Sequence, residues 1–528
     1  MSTKKILVAG RLAPQGVSRL EADGFHVDSA SESDAAGLAR LIPGYHGLIA
    51  GPSVGVPSEV IRAADVLEVI GRTGARVDDI DLDEATAHGI VVTGAPSSDR
   101  VSAAEVVVSL LLACAHEIVR THVALGSRLP GRPAPVVRGV EVRGKTLGFI
   151  GLDEAVPLVA EAAQVLGMRV ILWDPGEPVD RLEHLLLERS DDLTMLCREA
   201  DFLSVHVAGV PANAGLVGEA QFAVMKPGVR LVSAFARGIV DETAWARAVE
   251  TGTVAGSAVG LGAEESSLAA LEGVILVDPS AAQTVEAQAR AAETVAEQVA
   301  AALTGGLVRN AVNVPAVLDD DAAELMPYVG LCAQLGKLAV QLADGPVESV
   351  DVRYGGSFAY YDTRLLTLGL LQGALDQGAE GKVNLVNAQI IADAAGLVVT
   401  ETSDPAVTDF PRLVSVSAKG AWGEVSVTGT SLGPEHKPRL VEVFGDEIDI
   451  GPAPRMLFLR YRDLPGVGGK LGTMLGEWGV NIGNMSVGRG AVEHRAAMAL
   501  TLDQPLTDDQ LRELVDRCGL DVGKSVEL

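Results

Sequence analysis

Residues 146–176, with the sequence TLGFIGLDEAVPLVAEAAQVLGMRVILWDPG, constrain the fold more than any other stretch. They read as an apolar strand, a tight turn, an amphipathic helix and a second apolar strand that ends in an acid. That order is typical of a dinucleotide-binding βαβ unit. The usual fingerprint has three glycines in the turn, whereas this chain has Gly151, Asp153 and Val156. The stretch therefore predicts a parallel α/β sheet whose nucleotide turn is altered.

The length of the chain predicts several domains. A chain of 528 residues exceeds the roughly 250–300 residues over which one hydrophobic core can grow. Its longest nearly unbroken apolar run, residues 106–115, is about half of the ~20 residues that a membrane-spanning helix needs. The N-terminus leads directly into an apolar strand without the pattern of a signal peptide. We therefore expect a cytoplasmic protein that has no membrane partner.

Charge and cysteine usage narrow the classes of partner. The chain has 42 basic and 70 acidic residues and a net charge of −28, which disfavours nucleic acid and anionic lipid as partners. The four cysteines are dispersed without CxxC or Cys/His spacing, so the sequence predicts neither a disulfide framework nor a metal site. Free cysteines of this kind are usually buried as small apolar side chains. Small metabolites and other proteins remain as partners.

Two runs of alternating strands and helices predict two doubly wound Rossmann-like domains. The first run spans residues 4–97 and the second spans 146–278, with a long helix predicted over 102–119 between them. An alanine-rich helical pattern over 284–303 has no evident cap and is expected to cross back to the first domain. The fold class is therefore α/β.

The remainder of the chain predicts two further domains. Pro315 and the aspartates at 319–321 mark a boundary, after which residues 327–451 read as mixed α/β. The last segment, 453–528, reads as strand, helix, strand, strand, helix, strand. That order is a ferredoxin-like βαββαβ unit.

Several framework phrases carry a family resemblance: DIDLDEATAHGIVV, RGKTLGFIGL, MKPGVRLV, RNAVNVP and YRDLPGVGGKLGTMLGEWGVNI. With them the chain resembles the long-form D-3-phosphoglycerate dehydrogenases, a branch of the D-isomer-specific 2-hydroxyacid dehydrogenases, over essentially its whole length. The resemblance implies NAD as cofactor, a role in L-serine biosynthesis and a homo-oligomer. It also implies four domains: a discontinuous substrate-binding domain (1–99 plus 298–317), a Rossmann nucleotide-binding domain (100–297), an intervening α/β domain (318–452) and a C-terminal ACT domain (453–528).

The candidate cofactor residues are Gly151, Asp153 and Asp174. The middle glycine of the fingerprint lets the backbone approach the pyrophosphate, and here Asp153 brings a carboxylate instead. At about 5 Å and an effective dielectric near 20, one carboxylate facing one phosphate charge costs about 3 kcal/mol before screening. We therefore expect weak or absent NAD binding. Asp174 could still bond a ribose hydroxyl, or it could simply end its strand before a proline turn.

The resemblance also implies a catalytic arginine and a glutamate–histidine pair. In VSAFARGIVDE, Ala236 falls at the arginine position and Arg237 follows one residue later. Arg237 could reach the site through a local bulge or could be a surface charge. Glu265 falls at the glutamate position and Ser280 at that of the histidine. A serine hydroxyl takes up no proton near neutral pH, and loss of a positioned base costs ~10²–10⁴ in rate.

Tyr461, Asp463 and Asn481 match the positions by which the family's ACT domains hold L-serine between paired subunits. Asp463 can cap a helix and accept from an ammonium group, and an asparagine can bridge both groups of an amino acid. Alternatively, Asp463 is an N-cap that needs no ligand.

The sequence thus supports two main hypotheses. The first is a catalytically silent or impaired homologue that responds to serine or a related amino acid, alone or together with an active paralogue. The alternative is a working NAD-dependent oxidoreductase on 3-phosphoglycerate or another 2-hydroxy acid, with an unrecognised base. A third possibility is an uncharged ligand in the former nucleotide crevice.

Overall fold

The computed structural model describes most of the chain, namely residues 3–30, 34–74, 76–126, 138–176, 187–260, 266–315, 319–376, 382–407, 409–489 and 495–528. Glu265, the expected catalytic glutamate, lies outside these residues.

The first domain is built on a five-stranded parallel sheet with the strand order β2-β1-β3-β4-β5. Its strands are β1 Lys5–Ala9, β2 His26–Ala30, β3 Gly47–Ala50, β4 Val69–Arg72 and β5 Val91–Thr93. Its helices are Pro14–Ala22, Ala35–Leu41, Ser58–Ala63 and Leu82–Ala87. The alternating pattern over residues 4–97 predicts strands at the apolar segments KILVAG, GLIAG, LEVIGR and GIVVTG, and these are confirmed as β1, β3, β4 and β5. Strand β2 was missed because it is a polar edge strand without a fully buried residue.

The second domain is a seven-stranded parallel sheet with the order β12-β11-β10-β9-β6-β7-β8. Its strands are β6 Thr146–Ile150, β7 Arg169–Trp173, β8 Glu188–Arg189, β9 Phe202–Val205, β10 Val229–Ser233, β11 Val254–Gly260 and β12 Val274–Val277. Its sheet is flanked by the helices Arg100–Ala115, Ile118–Gly126, Val156–Val165, Leu193–Glu199, Glu219–Phe222 and Glu242–Glu250. The strand order reverses beside β6, so the domain is doubly wound as expected.

The long helix predicted over 102–119 is in fact two helices. Arg100–Ala115 ends at His116, and Glu117 adopts a positive φ of 53° before the next helix begins at Ile118. By length and composition, no single helix in the described part of the chain could cross a membrane, although the bent pair Arg100–Ala115 and Ile118–Leu125, at 61°, passes that test jointly.

The alanine-rich helix Val285–Thr304 is capped at both ends, contrary to the expectation from the sequence. Thr284 Oγ1 accepts from the backbone N–H of Ala287 at 3.2 Å, and Gly305 ends the helix in the left-handed conformation. The predicted crossing is confirmed, because Val295 and Val299 lie in the core of the first domain. A boundary between residues 297 and 298 therefore falls inside this helix.

The intervening domain is a six-stranded sheet with the order β14-β13-β15-β16-β17-β18. Its strands are β13 Ser349–Gly356, β14 Val398–Asp404, β15 Arg412–Gly420, β16 Gly423–Leu432, β17 Lys437–Val443 and β18 Asp446–Ile450. Its helices are Asp319–Leu342, Arg364–Leu375 and Ala388–Ala394. Strands β13 and β14 are parallel and the other neighbours are antiparallel.

The C-terminal domain is an antiparallel four-stranded sheet with the order β20-β21-β19-β22 and two helices. Its elements are β19 Arg455–Arg462, helix Val467–Glu477, β20 Ile482–Arg489, β21 Arg495–Leu502, helix Asp508–Cys518 and β22 Leu520–Glu527. The chain order and the strand order are those of a ferredoxin-like unit, so the prediction of a βαββαβ domain is confirmed.

The intervening and C-terminal sheets share one hydrophobic core. Met456 and Phe458 of β19 lie in the same buried cluster as Val427 and Ile450 of the intervening sheet. Two hydrogen bonds cross the interface between these domains: the Gln341 side chain donates to the backbone oxygen of Glu527 at 2.7 Å and accepts from its N–H at 2.9 Å. The two domains therefore pack as a single unit.

A polar contact joins this unit to the first domain. Asn384 Nδ2 donates to the backbone oxygen of Gly89 at 2.7 Å. The Asn384 Oδ1 atom accepts from the backbone N–H of Val386 at 2.9 Å, which fixes the orientation of the amide. We call this contact the Asn384–Gly89 joint.

Candidate functional site

The carboxyl ends of β6, β7 and β9 meet at the turn that follows β6. Gly151 has φ +90°, and a Cβ atom built on it would lie 2.8 Å from the backbone nitrogen of Val207. Both the left-handed backbone and the close approach of the chain after β9 require a glycine at this position. The first glycine of the nucleotide fingerprint is therefore kept for a structural reason.

Asp153 folds back onto the start of the next helix. Its Oδ1 atom accepts hydrogen bonds from the backbone N–H groups of Ala155, at 2.9 Å, and Val156, at 3.1 Å. Its Oδ2 atom lies 2.9 Å from Nδ1 of His206. The carboxylate thus bonds to both the helix N-terminus and the strand beside it.

His206 was not predicted as a site residue, yet it lies at the centre of this arrangement. Its side chain is only 3% exposed, and its Nε2 atom is 2.8 Å from Oγ of the buried Ser204. Phe149 packs edge-on against the imidazole, with ring centroids 5.4 Å apart. The pattern that could have revealed this group is the strand FLSVHV, since Ser204 and His206 are two residues apart and share one face of β9 and its extension.

The pKa of the Asp153 carboxyl is lowered from its ordinary value. Burial acts in the opposite direction and raises this pKa, but the hydrogen bond and charge of His206, together with the N–H donors of Ala155 and Val156, outweigh it. Asp153 is therefore ionised at neutral pH.

Asp174 uses both carboxylate oxygens as acceptors for backbone N–H groups, one in its own loop and one in the turn after β6. Oδ2 accepts from the backbone N–H of Leu152 at 3.0 Å, and Oδ1 accepts from that of Gly176 at 2.9 Å. It ties the end of β7 to the turn after β6. Its expected contact with a ribose stays a prediction.

Arg237 lies in the loop after β10, where it is exposed and lines a small cavity of about 170 Å³. The cavity is also lined by Ser233, Glu242, Trp245 and Ser266. The acidic residue of the cavity lining, Glu242, is already hydrogen-bonded, because its Oε2 atom accepts from Ser266 Oγ at 2.8 Å. The arginine is thus beside the ends of β10 and β11, at the edge of the predicted site.

Ser280 lies exposed in a short 3₁₀ turn, Pro279–Ala282. Its backbone N–H donates to Asp278 Oδ1 at 2.8 Å, which lowers the pKa of Asp278. The position that the resemblance assigns to the family's histidine therefore carries a hydroxyl group, and its catalytic role stays a prediction.

The three candidate effector residues are not brought together within one chain. Tyr461 pairs across the sheet with Ala496, which pairs in turn with Arg489 at the far end of β20. Asn481 precedes the other end of β20, eight residues from Arg489, so the length of that strand places Asn481 about 26 Å from the level of Tyr461. Any site that contains both Tyr461 and Asn481 therefore needs a second copy of the domain.

The expected helix cap at Asp463 is wrong. The helix begins at Val467, and its N-cap is Gly466, with φ +98° and no side-chain cap. Asp463 lies in the preceding loop, while Tyr461 is 4% exposed and has a raised pKa because of burial and the nearby charge of Asp463.

The cysteines behave as expected: Cys114, Cys197, Cys332 and Cys518 are all free and buried. Among the described residues, no group of three or more His, Cys, Asp or Glu side chains is placed to hold a metal ion.

Comparison with known proteins identifies the family of the chain. A family model described as D-isomer specific 2-hydroxyacid dehydrogenase, catalytic domain, matches residues 6–313, and one described as D-3-phosphoglycerate dehydrogenase intervening domain matches 324–444. The D-3-phosphoglycerate dehydrogenase of Synechocystis is 35% identical over 99% of this chain and 95% of its own length. That of Archaeoglobus fulgidus is 32% identical over 99% of this chain and 100% of its own length.

Solved structures agree for the first two domains. The TT0316 protein of Thermus thermophilus has a TM-score of 0.51 and 27% identity, and the match covers 58% of this chain and 99% of that one. The holo form of D-mandelate dehydrogenase from Rhodotorula graminis shares the fold with a TM-score of 0.52 at 20% identity, over 59% of this chain and 98% of that one. The chain therefore belongs to the D-isomer-specific 2-hydroxyacid dehydrogenases, in the branch of the D-3-phosphoglycerate dehydrogenases.

Proposed function

We propose that this chain is a non-catalytic or strongly impaired member of its family, and that it acts as a regulatory subunit that responds to L-serine or a related amino acid. The observation that carries the proposal concerns the proton acceptor. The catalytic position holds the exposed Ser280, whereas the histidine beside the crevice, His206, is buried and both of its ring nitrogens are hydrogen-bonded. A general base has to take up a proton near neutral pH and has to reach the proton that it removes. The Ser280 hydroxyl does not meet the first requirement, and the buried, fully bonded His206 does not meet the second.

The turn residues also do not fit the dinucleotide that the family implies. The helix N–H groups that would face a pyrophosphate are bonded to Asp153, and Leu152 N–H is bonded to Asp174. A bound phosphate would have to displace one carboxylate and approach another. This misfit supports weak or absent NAD binding.

The test is an activity assay with NAD and 3-phosphoglycerate in which the Synechocystis relative serves as positive control. The proposal expects a kcat at least ~10² below the control, the lower limit for loss of a positioned base. Turnover within tenfold of the control would overturn it and would establish the alternative, a working oxidoreductase. The assay should include other 2-hydroxy acids, so that a changed substrate is not mistaken for a lost reaction.

The regulatory part of the proposal rests on the edge of the C-terminal sheet. Strand β20 is an edge strand, and its side chains Met485 and Val487 are 42% and 51% exposed. Antiparallel pairing of two β20 edges would bring Asn481 of a second copy to the end of the sheet at which Tyr461 and Asp463 lie. The exposed apolar edge thus supports both a homo-oligomer and a shared amino-acid site.

A mixing experiment tests the shared site. Asp463→Asn and Asn481→Ala are prepared separately, and each is expected to lose L-serine binding in calorimetry. A mixed dimer has one site that is intact in both residues and one that lacks both. It should therefore bind half the serine that the wild-type dimer binds. No recovery on mixing, in a dimer verified by light scattering, would contradict a site shared between copies.

A further inference from the structure

We propose that Asp153 is a built-in anion that occupies the pyrophosphate cradle of its own turn, and that His206 locks it there. The inference goes beyond the loss of catalysis, because it assigns the failure to bind a dinucleotide to one autoinhibitory contact and not to a collapsed crevice. It rests on the proposed function only for the expectation that the unaltered chain binds NADH poorly.

The place that the carboxylate occupies is the one that an anionic ligand would need. The helix Val156–Val165 has ten residues, and its first N–H groups carry the positive end of the helix dipole. Asp153 Oδ1 accepts from two of these groups, Ala155 and Val156, at 2.9 and 3.1 Å. A phosphate oxygen that used the same donors would have to take the position of Oδ1.

The second half of the contact holds the carboxylate in place. Oδ2 of Asp153 is bonded to His206 Nδ1, and His206 is bonded through Nε2 to the buried Ser204. If Asp153 swung away, the buried imidazole would lose its partner at Nδ1, and an unsatisfied buried polar group is unfavourable. The side chain of Asp153 is 44% exposed, so solvent and ligands can reach the contact from the crevice.

The rest of the frame is intact. Gly151 keeps the backbone conformation and the close approach to Val207. Val156, at the last glycine position of the fingerprint, is completely buried in the core beside the sheet. Valine is therefore accommodated at this position, and Asp153 is the residue to change.

The experiment measures NADH binding by fluorescence and pyrophosphate binding by calorimetry for the full chain and its variants. Asp153→Gly removes the anion and leaves the helix N–H groups open, so NADH affinity should rise at least tenfold. Asp153→Asn keeps an oxygen that can cap Ala155 and Val156, so it should gain much less than Asp153→Gly. Glu154→Gln is the matched control, since it removes the same charge from the exposed neighbouring residue and should leave NADH affinity unchanged.

Three results would overturn the inference. They are micromolar NADH binding by the wild type, equal gains in Asp153→Gly and Glu154→Gln, and no gain in an Asp153 variant that is folded. If Asp153→Gly does not fold, Asp153→Ala takes its place, and native near-ultraviolet circular dichroism is required of either. None of these results decides whether the chain is a catalyst, and that part of the proposed function fails only if the unaltered chain turns over a 2-hydroxy acid within tenfold of the control. The two proposals can therefore fail separately.

Discussion

Gly488 of β20 and Glu447 of β18 are in backbone contact: a Cβ atom built on Gly488 would overlap the carbonyl oxygen of Glu447. This contact lies where the intervening sheet crosses the face of the C-terminal sheet, and Asp449 N–H donates to Ser486 Oγ at 3.1 Å beside it. Only glycine allows the two strands to approach so closely.

Gly488→Ala should therefore destabilise the joint between the two C-terminal domains. Because the added Cβ would clash with a backbone atom, which cannot rotate away as a side chain can, the two strands would have to separate. We therefore expect the free energy of unfolding to fall by about 2 kcal/mol or more. Calorimetric unfolding provides the measurement. The matched control is Gly472→Ala, in the helix Val467–Glu477, where an added Cβ meets nothing within 4 Å. That change should be neutral or stabilising by up to about 1 kcal/mol, and an equal effect of the two would contradict the assigned contact.

Gly151→Ala should destabilise the second domain more than an alanine at another left-handed glycine. The left-handed conformation alone costs an alanine about 1–2 kcal/mol, and the approach of Val207 N to 2.8 Å adds steric overlap. Gly252 has φ +76° and no atom within 4 Å of an added Cβ, so Gly252→Ala measures the backbone term alone. In urea unfolding, the free energy of unfolding of Gly151→Ala should be lower than that of Gly252→Ala. The reverse order would contradict the assigned close approach of Val207 to Gly151.

The stabilisation from Asp153 should depend on pH with a defined sign. Its folded pKa is depressed, so the contribution is fully present above the unfolded value of about 3.9 and is lost as the pH falls through the folded pKa. At pH 7 we expect Asp153→Ala to cost about 1 kcal/mol, the usual value of a helix cap. The difference in unfolding free energy from the wild type should shrink below about pH 4. A difference that stays constant across this range would show that the carboxylate charge is not what stabilises the turn.

The cysteines should be nearly inert in the folded protein. Burial raises the pKa of Cys114 and that of Cys197 to about 12, and it also raises the pKa of Cys332 and that of Cys518. At pH 8 a thiol of pKa 12 is ionised to about one part in ten thousand, and the thiolate is the reactive form. Ellman's reagent should titrate four thiols in concentrated guanidinium and react slowly with the native chain. Rapid labelling of any one cysteine in the native protein would show that the packing around that thiol opens and exposes it to the reagent.

The sequence allowed the architecture to be predicted because the hydrophobic periodicity is strong in the buried strands. Strand β6 is wholly buried and β7 is buried over its apolar centre, residues 170–172, so pattern and structure coincide. Among the strands of the second domain, the sequence predicts TLGFIGL, RVILWD, FLSVHV, VRLVSAF and GVILVD but not β11. Its sequence, VAGSAVG, is made largely of small residues whose strand preference is weak, although the strand lies inside the sheet. Whether such a segment forms a strand depends on burial against neighbouring strands, and those neighbours are distant in sequence.

The candidate site could be predicted only in part. Local spacing identified Asp153 and its place in the turn, but its partner His206 is 53 residues away and is brought there by the pairing of β6 with β9. Asp463 was assigned as a cap because it precedes a helix, yet the helix starts later and Gly466 provides the entry in the left-handed conformation. Both cases depend on tertiary geometry that spacing does not encode.

The shared core of the intervening and C-terminal domains has a mechanical consequence. Because the two sheets share one core, we expect them to move together, and they contact the first domain at the Asn384–Gly89 joint. Gly89 lies between the helix Leu82–Ala87 and strand β5, so a rotation of the two joined domains would displace the start of a strand of the first sheet. Under the proposed function, an amino acid bound at the β20 edge would therefore act on the first domain through the Asn384–Gly89 joint and without touching that domain.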